Sequence, residues 1–113
     1  PFMLWPSSLI LSEILLAVPE LIRDNKVLEL GCGAYGLPSR VARSMAATRV
    51  LATDASAAAV EQMRALTVEE TRSCNLTASV LHWEDPHACA DSQDDERFGL
   101  IVGADVIHER AHA

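Results

Sequence analysis

Residues 27–36 read VLELGCGAYG, an apolar run that passes directly into a turn with glycines at positions 31, 33 and 36. The short apolar segment Lys26 to Leu30 predicts a buried strand. Glycine permits the positive φ angles of a tight turn and lets the backbone approach a ligand closely. Apolar residues then recur at helical spacing from Leu37 to Ala46, and the N-terminus of such a helix offers unpaired N–H groups to an anion. The stretch therefore predicts a strand, a turn and a helix, with a binding site at the turn.

An acidic residue follows at the end of the next predicted strand. Residues 49–53 form that strand, and Asp54 ends it. A carboxylate in this position can accept hydrogen bonds from both hydroxyls of a ribose. The glycine spacing alone is weak evidence and also fits a turn that binds nothing, but the strand, the helix and the acid make the combination more specific. Two cofactor classes fit this arrangement, a nicotinamide dinucleotide and S-adenosylmethionine.

Glu29 bears on the choice between these cofactors because it precedes the first glycine by two residues. An acid there sits poorly beside a pyrophosphate. It is well placed near a cationic ligand, including the ammonium and sulfonium groups of S-adenosylmethionine. The alternative is that Glu29 is a structural or surface acid that contacts no ligand. We interpret Glu29 as favouring S-adenosylmethionine.

Strands and helices alternate along the rest of the chain. A first helix can be capped by Ser7 or Ser8 and ends near Pro19. A helix over residues 56–68 should turn Val60, Met63 and Leu66 inward, and strands are predicted at 78–82 and 98–103. This alternation predicts an α/β fold, a parallel sheet joined by right-handed crossovers. In the first helix, apolar contacts are expected from Leu9, Ile10, Ile14 and Leu16 to Val18.

We expect one incomplete domain, with residues 1–25 as an N-terminal helical segment and 26–113 as the cofactor-binding α/β half. The fourth predicted strand is apolar throughout, so a sheet that stopped there would expose a long apolar edge. At 113 residues, the chain is too short for a second domain. The sequence therefore predicts the N-terminal portion of a larger domain.

Composition excludes several classes of protein. The net charge of −7 argues against a general nucleic-acid binder, which needs a basic face, and suits a chain that attracts basic substrates. No uninterrupted apolar run is long enough for a membrane span. Cys32, Cys74 and Cys89 lack paired spacing, so we expect no disulfide or zinc site and a reducing compartment. The expected location is the cytoplasm, with the nucleus as the alternative, and the oligomeric state is not predicted.

An acidic stretch runs from Glu84 to Arg97. Its ordinary interpretation is a solvated loop. A docking surface for a basic protein tail is the alternative. His108 and His112 are four residues apart near the chain end, and this spacing alone is weak evidence for a metal site.

The glycine segment resembles a known motif. Residues 27–33 resemble motif I of the class I, seven-strand methyltransferases. Four further stretches resemble the protein-lysine methyltransferase-like branch, methyltransferase family 16. These are Trp5 to Leu11, residues 18–22, VLHW at 80–83 and IVGADVI at 101–107. The resemblance implies a Rossmann-like parallel sheet with flanking helices, covering about four strands of the seven-strand methyltransferase fold.

The resemblance also implies roles for individual residues. The turn residues Gly31, Cys32 and Gly33 would hold the methionine part of S-adenosylmethionine, and Asp54 would bind its ribose. Where members of the family have one residue between the later glycines, this chain has Ala34-Tyr35, one residue more.

Two tryptophans are implied to touch the cofactor. Trp83 would lie beside the adenine and Trp5 would contact the cofactor from the opening helix, although a buried tryptophan is more often part of a core. Ala104 would contribute a backbone contact. Ser39 stands where many members of the family have a glycine.

The function implied is an S-adenosylmethionine-dependent methyltransferase that acts on a protein side chain, lysine first, with S-adenosylhomocysteine as the product. Methyl transfer depends on alignment and closeness of the reacting groups. Asp105 would orient the substrate, and His108, where the family has a tyrosine, can accept a hydrogen bond in its neutral form or can be a loop residue without a role. The alternatives are a catalytically inactive methyltransferase-like binding module and a nicotinamide-dependent oxidoreductase, which Glu29 and Trp83 disfavour.

Overall fold

The structure is a computed structural model of the chain, and it describes residues 5–68, 75–85 and 96–104. Within these ranges, strands and helices alternate as the sequence predicts. The elements are α1 (Pro6–Ala17), a 3-10 turn (Pro19–Leu21), β1 (Lys26–Leu30), α2 (Leu37–Ser44), β2 (Arg49–Asp54), α3 (Ala57–Leu66), β3 (Leu76–Val80) and β4 (Leu100–Gly103).

The strands form one sheet in the order β3-β2-β1-β4, and every pairing is parallel. Val27 of β1 pairs with Val50 of β2 on one side and with Leu100 of β4 on the other. The chain therefore builds outward from β1 to β3 and then returns to the other side of β1. In such sheets the ligand crevice lies at the carboxyl ends of the strands, where the order reverses. The predicted Rossmann-like α/β fold is confirmed.

The core lies between the sheet and its helices. Four successive residues of β2, Val50 to Thr53, are buried, as expected for an inner strand covered on both faces. Helix α1 packs against α2. The buried apolar cluster comprises Leu15, Ile22, Val27, Cys32, Ala42, Val50, Ala52, Val60, Met63, Leu76, Ala78 and Val102.

Helix α1 differs from its prediction at both its start and its buried face. The N-cap is Trp5, without a side-chain cap, and Pro6 opens the helix, because proline's fixed φ suits the first helical position. Neither Ser7 nor Ser8 is the cap. The buried residues are Ser12 and Leu15, since these face α2 and the core. The predicted apolar contacts are wrong for four residues, which are largely exposed: Leu9, Ile10, Ile14 and Leu16.

Other boundaries also move. Strand β3 begins two residues earlier than predicted, because its pairing with β2 runs from Leu76 opposite Val50 to Val80 opposite Asp54. Strand β4 begins at Leu100. Helix α3 ends at Leu66, which is 42% exposed and not inward as predicted.

The acidic stretch is described only at its two ends, and there Glu96 contradicts the prediction of a solvated loop. Its side chain is 1% exposed. Its carboxylate accepts a hydrogen bond from Arg49 Nε at 2.6 Å and lies 3.8 Å from Lys26 Nζ. Lys26 and Arg49 are the first residues of β1 and β2, so Glu96 lies at the edge of the sheet where the strands begin. Residues 86–95 lie outside the described residues.

Within the described ranges, no helix has the length and apolar character needed to cross a membrane. In the same ranges, no three potential metal ligands come together. Cys74, Cys89 and the pair His108 and His112 lie outside the described residues.

Candidate cofactor-binding site

The candidate site lies at the carboxyl edge of the sheet. The glycine turn follows β1, Asp54 ends β2, Trp83 follows β3 and Ala104 follows β4. Because all four strands are parallel, their carboxyl ends meet at one edge. The fold thus brings most of the predicted cofactor-binding residues to the same side of the sheet.

The turn itself has the backbone geometry that its glycines permit. Gly31, Gly33 and Gly36 have φ angles of 68°, 66° and 53°. The Cys32 N–H donates to the Thr53 carbonyl at 2.8 Å, which carries the β1–β2 pairing into the turn. A Cβ added at Gly33 would meet no heavy atom of the described residues within 4 Å. The backbone at Gly33 therefore faces open space that a ligand can enter.

The longer turn is accommodated by packing toward α3. Ala34 is 3% exposed, and Gly36 is the N-cap of α2 in the left-handed region. A Cβ at Gly36 would overlap the end of the Met63 side chain, which is fully buried. Glycine at position 36 therefore avoids both the strain of a left-handed φ angle and a displacement of the Met63 side chain.

Asp54 points at the glycine turn. Its Oδ2 accepts a hydrogen bond from the Gly33 N–H at 2.9 Å, and its Oδ1 accepts one from the Ser56 N–H at 2.9 Å. An ionised carboxylate has about four lone-pair sites. Asp54 thus keeps acceptor capacity for the hydroxyls of a ribose after making these two bonds.

Glu29 lies deeper than its neighbours, with 1% of its surface exposed. Its Oε1 accepts hydrogen bonds from the Ser39 hydroxyl at 2.6 Å and from the Ser39 N–H at 3.2 Å. Burial raises the pKa of Glu29 to about 7; the hydrogen bonds from Ser39 act against this rise, and the charge of Asp54 adds to it. The carboxyl is therefore close to its protonation midpoint at neutral pH.

Cys32 is buried in the turn, with its thiol 3.4 Å from the Gly33 carbonyl. Burial, and then the charges of Glu29 and Asp54, raise the pKa of this thiol well above its usual range. A neutral thiol is a poor nucleophile. Cys32 therefore contributes shape and a backbone N–H to the turn.

The two tryptophans are not core residues. Trp5 is 54% exposed at the start of α1, and Trp83 is 40% exposed in the turn after β3. This exposure contradicts the alternative that the two tryptophans belong to the core. Their contact with a cofactor stays a prediction. Asp105 and His108 lie outside the described residues, so their predicted roles stay predictions as well.

Ser39 was not predicted as a partner of Glu29. A serine in the first turn of the helix after a buried acid was a usable signal, because its hydroxyl and N–H both point toward the preceding turn. The sequence showed Ser39 only as a departure from a glycine. Its contact depends on how the helix docks on the strand.

Several solved structures similar to this chain are described as methyltransferases. The chain is similar to the Trypanosoma brucei PRMT1 enzyme–prozyme heterotetrameric complex with AdoHcy, with a TM-score of 0.63, 21% identity, and coverage of 85% of this chain and 28% of that chain. It is also similar to a coclaurine N-methyltransferase bound to N-methylheliamine and SAH, with a TM-score of 0.61, 18% identity, and coverage of 85% and 26%.

A third similar structure is described as an RNA methyltransferase from Pyrococcus horikoshii, with a TM-score of 0.53, 23% identity, and coverage of 63% of this chain and 36% of that chain. The chain thus spans about a third of the length of these structures. At these identities the likeness shows the fold. The comparison with curated protein sequences found no match.

The family comparison covers nearly the whole chain. The model of the lysine methyltransferase family matches residues 2–112. This confirms the resemblance drawn from the motifs at both ends of the sequence, and with it the expected cofactor, S-adenosylmethionine. The chain belongs to the lysine methyltransferase family, a family of S-adenosylmethionine-dependent methyltransferases.

Proposed function

We propose that this chain supplies the cofactor-binding half of an active methyltransferase that methylates a protein side chain, lysine first. The observation that carries the proposal is the turn at the carboxyl end of β1, where the open side of Gly33 lies next to the carboxylate of Asp54. The family assignment supports the reaction class. Substrate choice is inferred from the family description and from the net charge of −7, which favours a basic substrate.

The residues present fit S-adenosylmethionine. Gly33 offers open space where a side chain would otherwise stand, and Asp54 retains acceptor sites for ribose hydroxyls. The bound cofactor would supply a methyl group on a cationic sulfur. This chain's own residues would bind and align it, since alignment contributes much of the rate in a displacement of this kind. A lysine acceptor must lose a proton first, and Asp105 is the residue we assign to orient it.

The first experiment measures binding of S-adenosylhomocysteine to the intact protein by isothermal titration. We expect Asp54→Ala to weaken binding by at least about tenfold, because hydrogen bonds to a charged group contribute roughly 1.5–3 kcal/mol. Asp54→Asn keeps the shape of the side chain and should also weaken binding.

Glu61→Ala is the matched control, because its side chain is 76% exposed on α3 and it removes the same charge. Its affinity should equal that of the wild type. Unchanged affinity in both Asp54 variants would contradict the proposed site.

A second experiment tests the acceptor. Incubation of the intact protein with cell extract and cofactor carrying a labelled methyl group should give labelled protein, and hydrolysis should release methyl-lysine. Labelled methyl-arginine would reject lysine as the acceptor. Cofactor binding without any label would identify the catalytically inactive binding module instead.

A further inference from the structure

The contact between Glu29 and Ser39 joins the two sides of the glycine turn. Glu29 belongs to β1, before the turn, and Ser39 lies in the first turn of α2, after it. Both residues are buried, with 1% and 0% of their surfaces exposed. Two donors of one serine, Oγ and N–H, meet the same carboxylate oxygen, Oε1. A pair of hydrogen bonds to one atom fixes the orientation of the whole carboxylate.

The other oxygen of this carboxylate, Oε2, is not used by Ser39. Among the described residues, Glu29 Oε2 has no hydrogen-bond donor. A buried carboxylate oxygen without a donor is costly when charged. A cationic ligand at the adjoining turn would supply the missing partner.

We propose that Ser39 is a positioning residue for cofactor binding. It holds Glu29 Oε1, so that Oε2 can accept a hydrogen bond from the ammonium group at the amino-acid end of S-adenosylmethionine. This role rests on the proposed function, because it requires the cofactor to occupy the turn. Ser39 acts through Glu29 and does not itself touch the cofactor.

The charge of Glu29 links this geometry to pH. The ionisable groups placed against it are Asp54, whose charge raises the pKa of Glu29, and Cys32, whose thiol is held neutral. The Ser39 hydrogen bonds favour the ionised form of Glu29. Without the hydroxyl, a larger fraction of the carboxyl is protonated near neutral pH and cannot pair with an ammonium.

The experiment compares two ligands on the intact protein by isothermal titration. S-adenosylhomocysteine carries the amino-acid end, whereas methylthioadenosine has the same nucleoside and sulfur without it. We expect Ser39→Ala to lower the affinity for S-adenosylhomocysteine by about tenfold, which is within the range for loss of a hydrogen bond to a charged group. The affinity for methylthioadenosine should not change.

Three further variants sharpen the test. Glu29→Gln should produce the same selective loss, and Ser39→Ala should add nothing to it, because Ser39 acts only through the charged carboxylate. Ser44→Ala is the control, since Ser44 lies exposed at the end of the same helix and its hydroxyl, within the described part of the chain, bonds only to the Val41 carbonyl. In the wild type, the loss of S-adenosylhomocysteine affinity between pH 8 and pH 6 should be steeper than in Glu29→Gln.

Each alternative outcome is distinct. Equal weakening of both ligands would show a structural role and overturn the proposal, as would unchanged affinity for both. Additive losses in the double variant would also overturn it. Failure of the wild type to bind either ligand would reject the proposed function itself. If Ser39→Ala does not fold, Ser39→Cys takes its place, because it replaces the hydroxyl with a weaker donor of similar size, and the same selective loss is expected of it.

Discussion

At the scale of single residues, the turn carries two carboxylates in different surroundings. Asp54 is partly exposed and bonded to two backbone N–H groups. Glu29 is buried, and its two bonds come from one serine. Desolvation disfavours the charged form of an acid, so burial raises the pKa of Glu29. Two acids within one site thus suit different parts of a ligand, the sugar hydroxyls and the cationic end.

The raised pKa of Glu29 predicts how stability depends on pH. The folded protein keeps the Glu29 proton up to about pH 7, whereas the unfolded chain releases it near 4.5. The folded state therefore binds more protons between these values, and the free energy of unfolding falls as the pH rises through this range. The stabilisation is complete below the lower value and is lost above the higher one. Its size is on the order of 3 kcal/mol, from the free energy of one pKa unit.

Glu29→Gln should remove this slope. The free energy of unfolding in urea should be measured for the intact protein across pH 4.5–8. As the pH rises, it should fall in the wild type relative to the variant. Glu61→Gln is the control, because that side chain is 76% exposed on α3. Parallel stability curves for wild type and Glu29→Gln would contradict the prediction.

At the scale of elements, ion pairs stabilise the amino edge of the sheet, opposite the cofactor turn. Glu96 precedes β4, and Arg49 opens β2. The Arg49 guanidinium also donates to Thr77 of β3 at 3.3 Å. Arg49 therefore links β2 to β3 and to the segment that enters β4. This ion pair sets the position of the segment before β4 at the amino edge, away from the cofactor turn.

Removal of the Glu96 carboxylate should destabilise the fold. Glu96→Ala leaves Arg49, whose side chain is 20% exposed, without this anion, and breaking a buried pair costs roughly 3–5 kcal/mol. We expect a smaller loss, about 2–3 kcal/mol, since Arg49 is only partly buried. Chemical denaturation measures it.

Lys26→Ala is the matched control for Glu96→Ala. Its side chain is 42% exposed and lies 3.8 Å from the carboxylate, so the expected cost is below about 1 kcal/mol. Equal losses in the two variants would contradict the assignment of Arg49 as the main partner.

At the scale of the whole molecule, the described sheet has two inner and two outer strands. Strands β1 and β2 are paired on both sides, whereas β3 and β4 are outermost. In β4, Ile101 is 59% exposed. An outermost strand leaves part of its N–H and C=O groups without a strand partner.

Hydrogen exchange should report this difference. In a preparation of this chain alone, the amides of β1 and β2 should exchange at least about tenfold more slowly than those of β4, because local opening is easiest where few groups are paired. Mass spectrometry of peptic fragments measures it. Equal protection of β1 and β4 would contradict the described sheet edge and would indicate a further strand beyond β4.

Much of the fold was predictable because its signals are local. The apolar run of β1, the glycines after it and the acid at the end of β2 each depend on a few neighbouring residues. These features predicted the parallel α/β sheet and placed Gly33 and Asp54 at one edge. The turn, and the acid beside it, therefore follow from the sequence by itself.

Tertiary structure alone decided the contacts between distant elements. The pairing of Glu29 with Ser39, the burial of Glu96 against Arg49 and the inward face of α1 depend on which surfaces meet after the helices dock. A sequence pattern shows only that serine and glutamate are polar. Whether such a side chain is solvated or buried depends on the packing around it. The local pattern determined where the site lies, while burial in the assembled fold raised the pKa of Glu29 and the contact with Ser39 set its orientation.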